Sequence, residues 1–273
     1  MNKTTSRTAS GKREKSEARD FFEFLLKLAV FVFILRSFII STFSIPSESM
    51  LPRLMVGDYL FVQKWPYGFS RASFPFGAIP IEGRVFQHLP ARGDVAVFKA
   101  PPGNDVDYIK RVIGLPGDTV QMRGGQLFLN GRPVPKRRVG DFVHPVSPNS
   151  ICLAPEFAEA ARDGGTQCRY PQYEETLPEG RSYRVLDLGT TIADDTPVFT
   201  VPPDRLFLMG DDRDRSADSR FDAVEGGGIG FVPVENLVGR AWVTVFSTDG
   251  SAHWLLPWTW VSAARGERIG EGF

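Results

Sequence analysis

Two serines one residue apart, Ser47 and Ser49, stand in the run IPSESMLP between Ile45 and Pro52. A serine hydroxyl is a weak nucleophile at neutral pH and does covalent chemistry only with a base within hydrogen-bond reach. Pro46 and Pro52 push the residues before them out of the helical region, so the run reads as stiff and extended, with both hydroxyls on one side. The same pattern also reads as a plain linker between an apolar segment and a folded domain. A partner base decides between the two.

Histidine is a poor candidate for that base. There is no G-x-S-x-G elbow, and His88, His144 and His253 are scattered in unremarkable contexts. Lysine remains, and beyond the N-terminal segment there are four: Lys64, Lys99, Lys110 and Lys136. Lys136 opens the run KRR, where like charges and solvent keep it protonated, and Lys64 and Lys99 sit at strand ends near prolines, where lysines are usually solvated. Lys110 differs. Strand alternation through Tyr108–Ile113 puts Tyr108, Lys110 and Val112 on one face and Ile109, Arg111 and Ile113 on the other. Its same-face neighbours are apolar, and burial among them lowers an ammonium pKa toward the range a general base needs. The alternative is a structural lysine paired with an acid such as Asp107.

A third run, MGDDRDRSADSR from Met209 to Arg220, comes after an apolar strand and is dense in Asp, Arg and Ser. It reads as an ion-paired turn built on charge-assisted bonds, or as such a turn holding the hydroxyl of Ser216 where it orients the lysine.

Composition narrows the classes. The 273 residues carry 32 bases against 32 acids, with none of the basic excess of a nucleic-acid binder. Two cysteines and three histidines give no zinc spacing, so neither a metal nor another cofactor is expected. Cys152 and Cys168 lie in one Gly/Pro-rich stretch and form one disulfide if the compartment is oxidising, or remain two thiols if it is not.

The elements that position these residues are mostly strands. Segments such as GDYLFVQKW, GDVAVFKA, DYIKRVIG, GQLFLNG, DRLFLMGDD and GRAWVTVF are β-branched and aromatic runs bounded by Gly, Pro, Asp or Asn. Ahead of them, residues 1–20 read as a basic tail, and residues 21–43, FFEFLLKLAVFVFILRSFIISTF, as a single transmembrane helix of about the length that crosses ~30 Å of hydrocarbon. Glu23, Lys27 and Arg36 are then placed to snorkel. An interfacial helix and a cleavable leader ending at Ser47-x-Ser49 are the alternatives. With the basic tail inside, everything after residue 43 lies outside the cytoplasm, which favours the disulfide. The expected fold is mainly β: a membrane anchor, an antiparallel β core over 44–118 and 206–249, a loop-rich inserted second domain over 119–205, and a C-terminal tail over 250–273. Trp65, Phe74, Phe76, Trp254, Trp258 and Trp260 are candidates to rest at the membrane interface.

Four ordered runs, PSESM at 46–50, RGDVAVFK at 92–99, YIKRVIGLPGD at 108–118 and GDDRDRSADSR at 210–220, resemble the motif boxes of bacterial type I signal peptidases. The trailing GFVPVENLVGRA adds to the likeness, which thins through about 119–205. The resemblance implies a membrane-bound serine endopeptidase with a Ser/Lys dyad that cuts exported preproteins after small-x-small sites. It implies Ser49 as nucleophile, Lys110 as general base, Ser47 as an oxyanion-binding hydroxyl beside the backbone N–H of Ser49, and Ser216 as the group orienting the lysine. Ile45, Pro46, Met50, Tyr108 and Ile109 match positions lining shallow pockets for small residues. Phe98 matches an apolar neighbour of the lysine, and Asp211, Asp218 and Arg220 match supporting charges. The family's place is the bacterial cytoplasmic membrane, single-pass, with the N-terminus inside; its partners are secretory preproteins and membrane lipid, with no nucleic acid and no metal. Arg53, Asp212 and Arg215 depart from the pattern, the first standing where threonine is usual and the other two where asparagine is. A specialised peptidase serving one pilin or conjugation substrate, or a catalytically silent anchored module that binds export clients, are the competing readings.

Overall fold

Apolar alternation bounded by turn residues gives strands, and the strands pair as their spacing requires. In the computed structural model, which describes residues 8–77, 79–162, 164–253 and 255–273, seven strands form one sheet. Their order is Ile40–Ser44, Asp58–Gln63, Leu237–Ser247, Val95–Lys99, Asp107–Gly114, Arg205–Met209 and Val232–Pro233. Every neighbouring pair is antiparallel. The register slips between Ala241 and Val243, between Thr244 and Phe246 and again between Phe207 and Leu208. Such bulges bend a strand and raise its local twist, so the sheet curves. Its faces bury Leu60, Phe98, Val112 and Leu208 completely, each worth roughly 1.5–3 kcal/mol of apolar burial.

The stretch 119–205, expected to be loop-rich, is built of short strands. Lys136–Arg138, Gln172–Thr176 and Ser182–Leu186 make one small sheet, Phe142–Pro145, Thr166–Tyr170 and Ala158–Ala160 a second. Thr119–Arg123, Gln126–Leu129 and Arg132–Pro133 join Phe199–Thr200 in a third. The polar text misleads because these sheets have a solvent face: in Ser182–Leu186, Tyr183 and Val185 are buried while Ser182 and Arg184 are exposed. The stretch shares its core with the main sheet, since Val120, Met122, Leu127 and Val185 pack in one cluster with Ile113, Phe207 and Met209. Cys152 and Cys168 are joined in a disulfide, Cys168 lying in the central strand of the second small sheet.

The N-terminal reading is corrected in its boundaries. Residues 1–7 of the expected tail lie outside the described residues. From Thr8 the chain is helical to Ile34, continues as a π-helix over Leu35–Ile39, and at Ile40 becomes the edge strand of the sheet. Alanine, lysine, glutamate and arginine favour helix in the supposed tail. Residues 40–43 leave the expected span because Ile40–Ser44 finds a pairing partner in Asp58–Gln63. No helix among the described residues is long and apolar enough to cross a membrane. Of the aromatic residues expected at an interface, Trp65, Trp258 and Trp260 are exposed, whereas Phe74 is buried. Trp254 and the side chain of Phe76 lie outside the described residues. The C-terminal segment packs back on the core, where Arg268 holds the buried carboxylate of Asp58 at 2.6 Å.

A buried ion pair fastens the inserted strands to the segment after Met209. Arg213 donates to both oxygens of Glu175 at 2.7 and 2.6 Å, and Tyr183 donates to the same carboxylate at 2.8 Å. Removing one partner of a buried pair strands a desolvated charge, whereas replacing both with apolar residues is nearly neutral. Glu175→Gln is therefore expected to lower the unfolding free energy by about 3–5 kcal/mol, and Glu175→Leu with Arg213→Met to cost less than the single change. Urea denaturation reads both; a cost for the single variant no larger than for the double one refutes the clamp.

Candidate active site

Ser49 sits where the extended entry from the edge strand turns. Ile45–Ser47 carry no regular structure, and a turn opens at Glu48, with Leu51 N–H donating to Glu48 O and Leu54 N–H to Met50 O, both at 2.9 Å. The expectation of an extended run through Pro52 thus fails from Glu48 on. From the other side Asp212 N–H donates to Ser49 O at 3.2 Å. The Ser49 side chain is 8% exposed, and its Oγ has Ser47 Oγ at 3.4 Å. The two hydroxyls share one side, as their spacing predicts.

Lys110 comes to Ser49 from the Asp107–Gly114 strand, and its Nζ donates to Ser49 Oγ at 2.5 Å. Alternation is observed as read: Lys110 is opposite Ala96 in the pairing register, Tyr108 opposite Phe98. Tyr108, Ala96, Phe98 and Val112 pack in one cluster, with the Tyr108 ring 5.8 Å from the amine. Lys110 is 4% exposed, and burial pulls its pKa down to about 8, against a partial pull upward from Asp218, Asp211 and Asp212. No carboxylate pairs with Lys110 among the described residues. Asp107, the acid expected in that role, holds Lys99 at 3.1 Å instead.

The acids nearest the lysine are taken up by arginines. Asp211 receives two bonds from Arg111, at 2.7 and 2.5 Å, and Arg111 also donates to Gly93 O at 2.7 Å. Asp218 receives Nε and Nη2 of Arg220, both at 2.9 Å, and Gly210 N–H at 3.0 Å. The expected Asp218–Arg220 pair is present, and Asp211 is found with a partner to which the sequence alone does not point.

Ser216 is buried near Ser49, but its hydroxyl makes no hydrogen bond among the described residues, so the expected bond to Lys110 is not made. The reason is geometric: the amine is turned onto Ser49, and Ser216 Oγ lies over Gly210. A Cβ on Gly210 would stand 2.2 Å from Ser216 Oγ and 2.5 Å from Ser49 O, so glycine alone lets the two serine segments meet there. Asp212, one of the departures, is fully buried with neither carboxylate oxygen bonded among the described residues. Burial and then Asp214 raise its pKa to about 7, with Arg215 opposing.

The apolar wall divides in two. Ile45, Met50 and Ile109 meet in one cluster with Leu54 and Leu60, while Tyr108 and Phe98 lie on the opposite face of the strand with the lysine. Pro46 is exposed. Sequence reasoning misses Arg111, Glu175, Tyr183, Arg213 and Gly210. An arginine between Ile109 and Ile113 on a buried strand face is the available signal, because such a charge demands a buried acid.

Lys64 overturns its reading as a solvated strand-end residue. It is 4% exposed beneath the turns Trp65–Tyr67 and Arg71–Ser73, donates to Ser73 O at 3.0 Å, and has its pKa lowered to about 8 by burial. Lys136 likewise pairs with Asp187 and donates to Gly125 O at 2.8 Å. His88, His144 and His253 make no hydrogen bond to Ser49 among the described residues. A hydroxyl against a desolvated amine with no acid partner is an arrangement suited to proton transfer and nucleophilic attack on a carbonyl.

Known peptidases resemble this chain over most of its length. The family described as signal peptidase, peptidase S26, matches residues 18–246. Signal peptidase I of Rickettsia typhi is 35% identical over 246 residues, covering 87% of this chain and 83% of that protein. Signal peptidase I of Rickettsia canadensis is 34% identical over 243 residues, covering 86% and 82%. A crystal structure of a signal peptidase I from Enterococcus faecalis V583 is 26% identical and covers 56% of this chain and 97% of its own, with a TM-score of 0.29. From a match that runs from the N-terminal helix to the last strand of the main sheet and takes in both Ser49 and Lys110, it follows that this chain belongs to the signal peptidase family, peptidase S26.

Proposed function

We propose that this protein is a membrane-attached serine endopeptidase that removes N-terminal signal peptides from exported preproteins, cutting after small-x-small sites with Ser49 and Lys110 as nucleophile and base. The observation that carries the reading is the 2.5 Å contact between the buried amine and Ser49 Oγ, at an amine with a pKa of about 8. At pH 7 roughly a tenth of such amines are neutral, far more than of a lysine at its reference pKa of ~10.4.

Neutral Lys110 accepts the proton of Ser49 as Oγ adds to the scissile carbonyl. The oxyanion that forms takes hydrogen bonds from the Ser49 N–H and the Ser47 hydroxyl. The Lys110 ammonium then protonates the leaving amine, releasing the mature protein and leaving the signal peptide as an ester on Ser49. Lys110, neutral again, takes a proton from water, and the resulting attack frees the carboxylate of the signal peptide and restores Ser49. Ser216, packed over Gly210, is assigned as a positioning group, and Asp211 with Arg111 and Asp218 with Arg220 as its rigid surround.

Ile40–Ser44 is an edge strand leading directly to Ser47 and Ser49, and an extended peptide adds to such an edge by main-chain hydrogen bonds. Ile45, Met50 and Ile109 then bound the space for small side chains. Phe21, Phe22, Phe24, Phe31 and Ile34 of the N-terminal helix are 47–69% exposed, which suits a helix whose solvent is lipid. The basic N-terminal segment is assigned to the cytoplasmic side of the cytoplasmic membrane, and the site to the outer side.

The test is cleavage of a preprotein bearing an Ala-x-Ala site by detergent-solubilised protein. Ser49→Ala and Lys110→Met are each expected to reduce kcat by on the order of 10⁴-fold or more. Cleavage that survives Lys110→Met refutes the base, cleavage that survives Ser49→Ala refutes the nucleophile, and a folded wild type that cuts nothing favours a silent binding module. The pH profile supplies a second check. The active form of Lys110 is neutral, so kcat/KM rises with pH through a limb near the lysine's pKa of about 8 and falls tenfold per pH unit below it; a flat profile between pH 6 and 9 contradicts the assignment. Ser47→Ala removes one oxyanion donor and is expected to lower kcat by about 10²–10³-fold.

A further inference from the structure

Where the N-terminal helix meets the body of the protein, two hollows share one residue. The first, of about 560 Å³, is apolar and runs between Leu25, Leu28, Ala29, Val32 and Phe33 of the helix and Pro75, ending at Arg36. The second, of about 1060 Å³, begins at the same Arg36 and is polar, with Lys64, Arg71 and Lys99 in its lining. It does not contain Ser49 or Lys110.

The four cations are not equivalent. Lys99 holds the Asp107 carboxylate at 3.1 Å and donates to the backbone carbonyl of Asp105 at 3.2 Å, so its charge is already partnered. Arg36, Lys64 and Arg71 have no carboxylate partner among the described residues. Lys64 spends one hydrogen bond on Ser73 O, which leaves a buried ammonium with two N–H donors beside the cavity. A guanidinium fork and an ammonium are the groups that bind phosphate oxygens well. Glu82, Asp105, Asp107 and Glu235 also line the space, and this negative charge disfavours a polyphosphorylated head while leaving room for a single phosphodiester. An apolar groove that opens at its polar end onto unpaired cations has the shape of an amphiphile.

We propose that the two hollows together bind one membrane phospholipid, its phosphate held by Arg36, Lys64 and Arg71 and an acyl chain laid along the helix between Leu25 and Pro75. This rests on the proposed membrane attachment and not on the peptidase chemistry. The bound lipid would complete the contact between helix and sheet and fix the height of the site above the bilayer.

The test uses the full chain in dodecyl maltoside micelles, titrated separately with dioleoylphosphatidylglycerol, inorganic phosphate and dioleoylglycerol, with native mass spectrometry counting the bound molecules. The wild type is expected to retain one phosphatidylglycerol and to bind phosphate or dioleoylglycerol more weakly. Arg36→Gln with Arg71→Gln, both at exposed positions that leave the core untouched, should weaken phospholipid binding at least about tenfold, and Lys64→Met should do the same. Equal binding by the double variant overturns the proposal. Saturation by inorganic phosphate as readily as by lipid overturns it in favour of a free-anion site, and displacement of the lipid by a signal peptide overturns it in favour of a substrate subsite. Flotation with dioleoylphosphatidylcholine vesicles separates the two readings: failure to float overturns membrane attachment and this site with it, whereas flotation without a retained phospholipid overturns the site alone.

Discussion

An amine removed from water without a counter-ion is the constraint around which this protein is arranged. Desolvating Lys110 costs free energy that an ion pair would recover, yet an ion pair would hold the amine protonated and bar it from the proposed role of base. Asp211, Asp212 and Asp218 all lie near enough to raise its pKa. Two of them are bonded in pairs to arginines, Asp211 to Arg111 and Asp218 to Arg220. The arginines therefore do more than stabilise a turn. They fix the carboxylates at a distance and leave Ser49 Oγ as the partner the amine meets.

That arrangement is held from behind by the inserted strands. The Arg111 guanidinium lies 4.4 Å from the centre of the Tyr183 ring, and Tyr183 shares the Glu175 carboxylate with Arg213. Glu175 and Tyr183 belong to the small sheets, Arg111 to the main sheet, and Arg213 to the segment that carries Ser216. A continuous polar seam thus runs from the inserted strands to the wall of the site. Its members are buried, so each must stay paired for the others to be tolerated.

After the second strand of the same sheet, the same physical rule takes another form. Lys64 is as buried as Lys110 and its pKa is lowered to a similar value by the same cause, yet it lies apart from the serine. A depressed lysine pKa by itself does not mark a catalytic base; what sets the two apart is the partner, a serine hydroxyl at 2.5 Å from Lys110 and a backbone carbonyl at 3.0 Å from Lys64.

The sequence by itself determined the strand runs, the shared side of Ser47 and Ser49, and the apolar strand face on which Lys110 lies. These depend on local periodicity and on which neighbours share a strand face, and both are short-range properties. The family likeness was legible for the same reason, since its motifs are continuous runs. Only the tertiary structure decided that Lys64 is buried, because the turns that cover it come from residues several positions on and no alternation reports them. It also decided the partners of Asp211 and Glu175, which lie 100 and 38 residues from their arginines, and the need for glycine at position 210, where two serine segments cross. The end of the apolar helix at Ile34 and the strand from Ile40 were likewise settled by pairing with Asp58–Gln63. Hydropathy sees the length of an apolar run, but the edge of a sheet that captures its last residues exists only once the chain has folded.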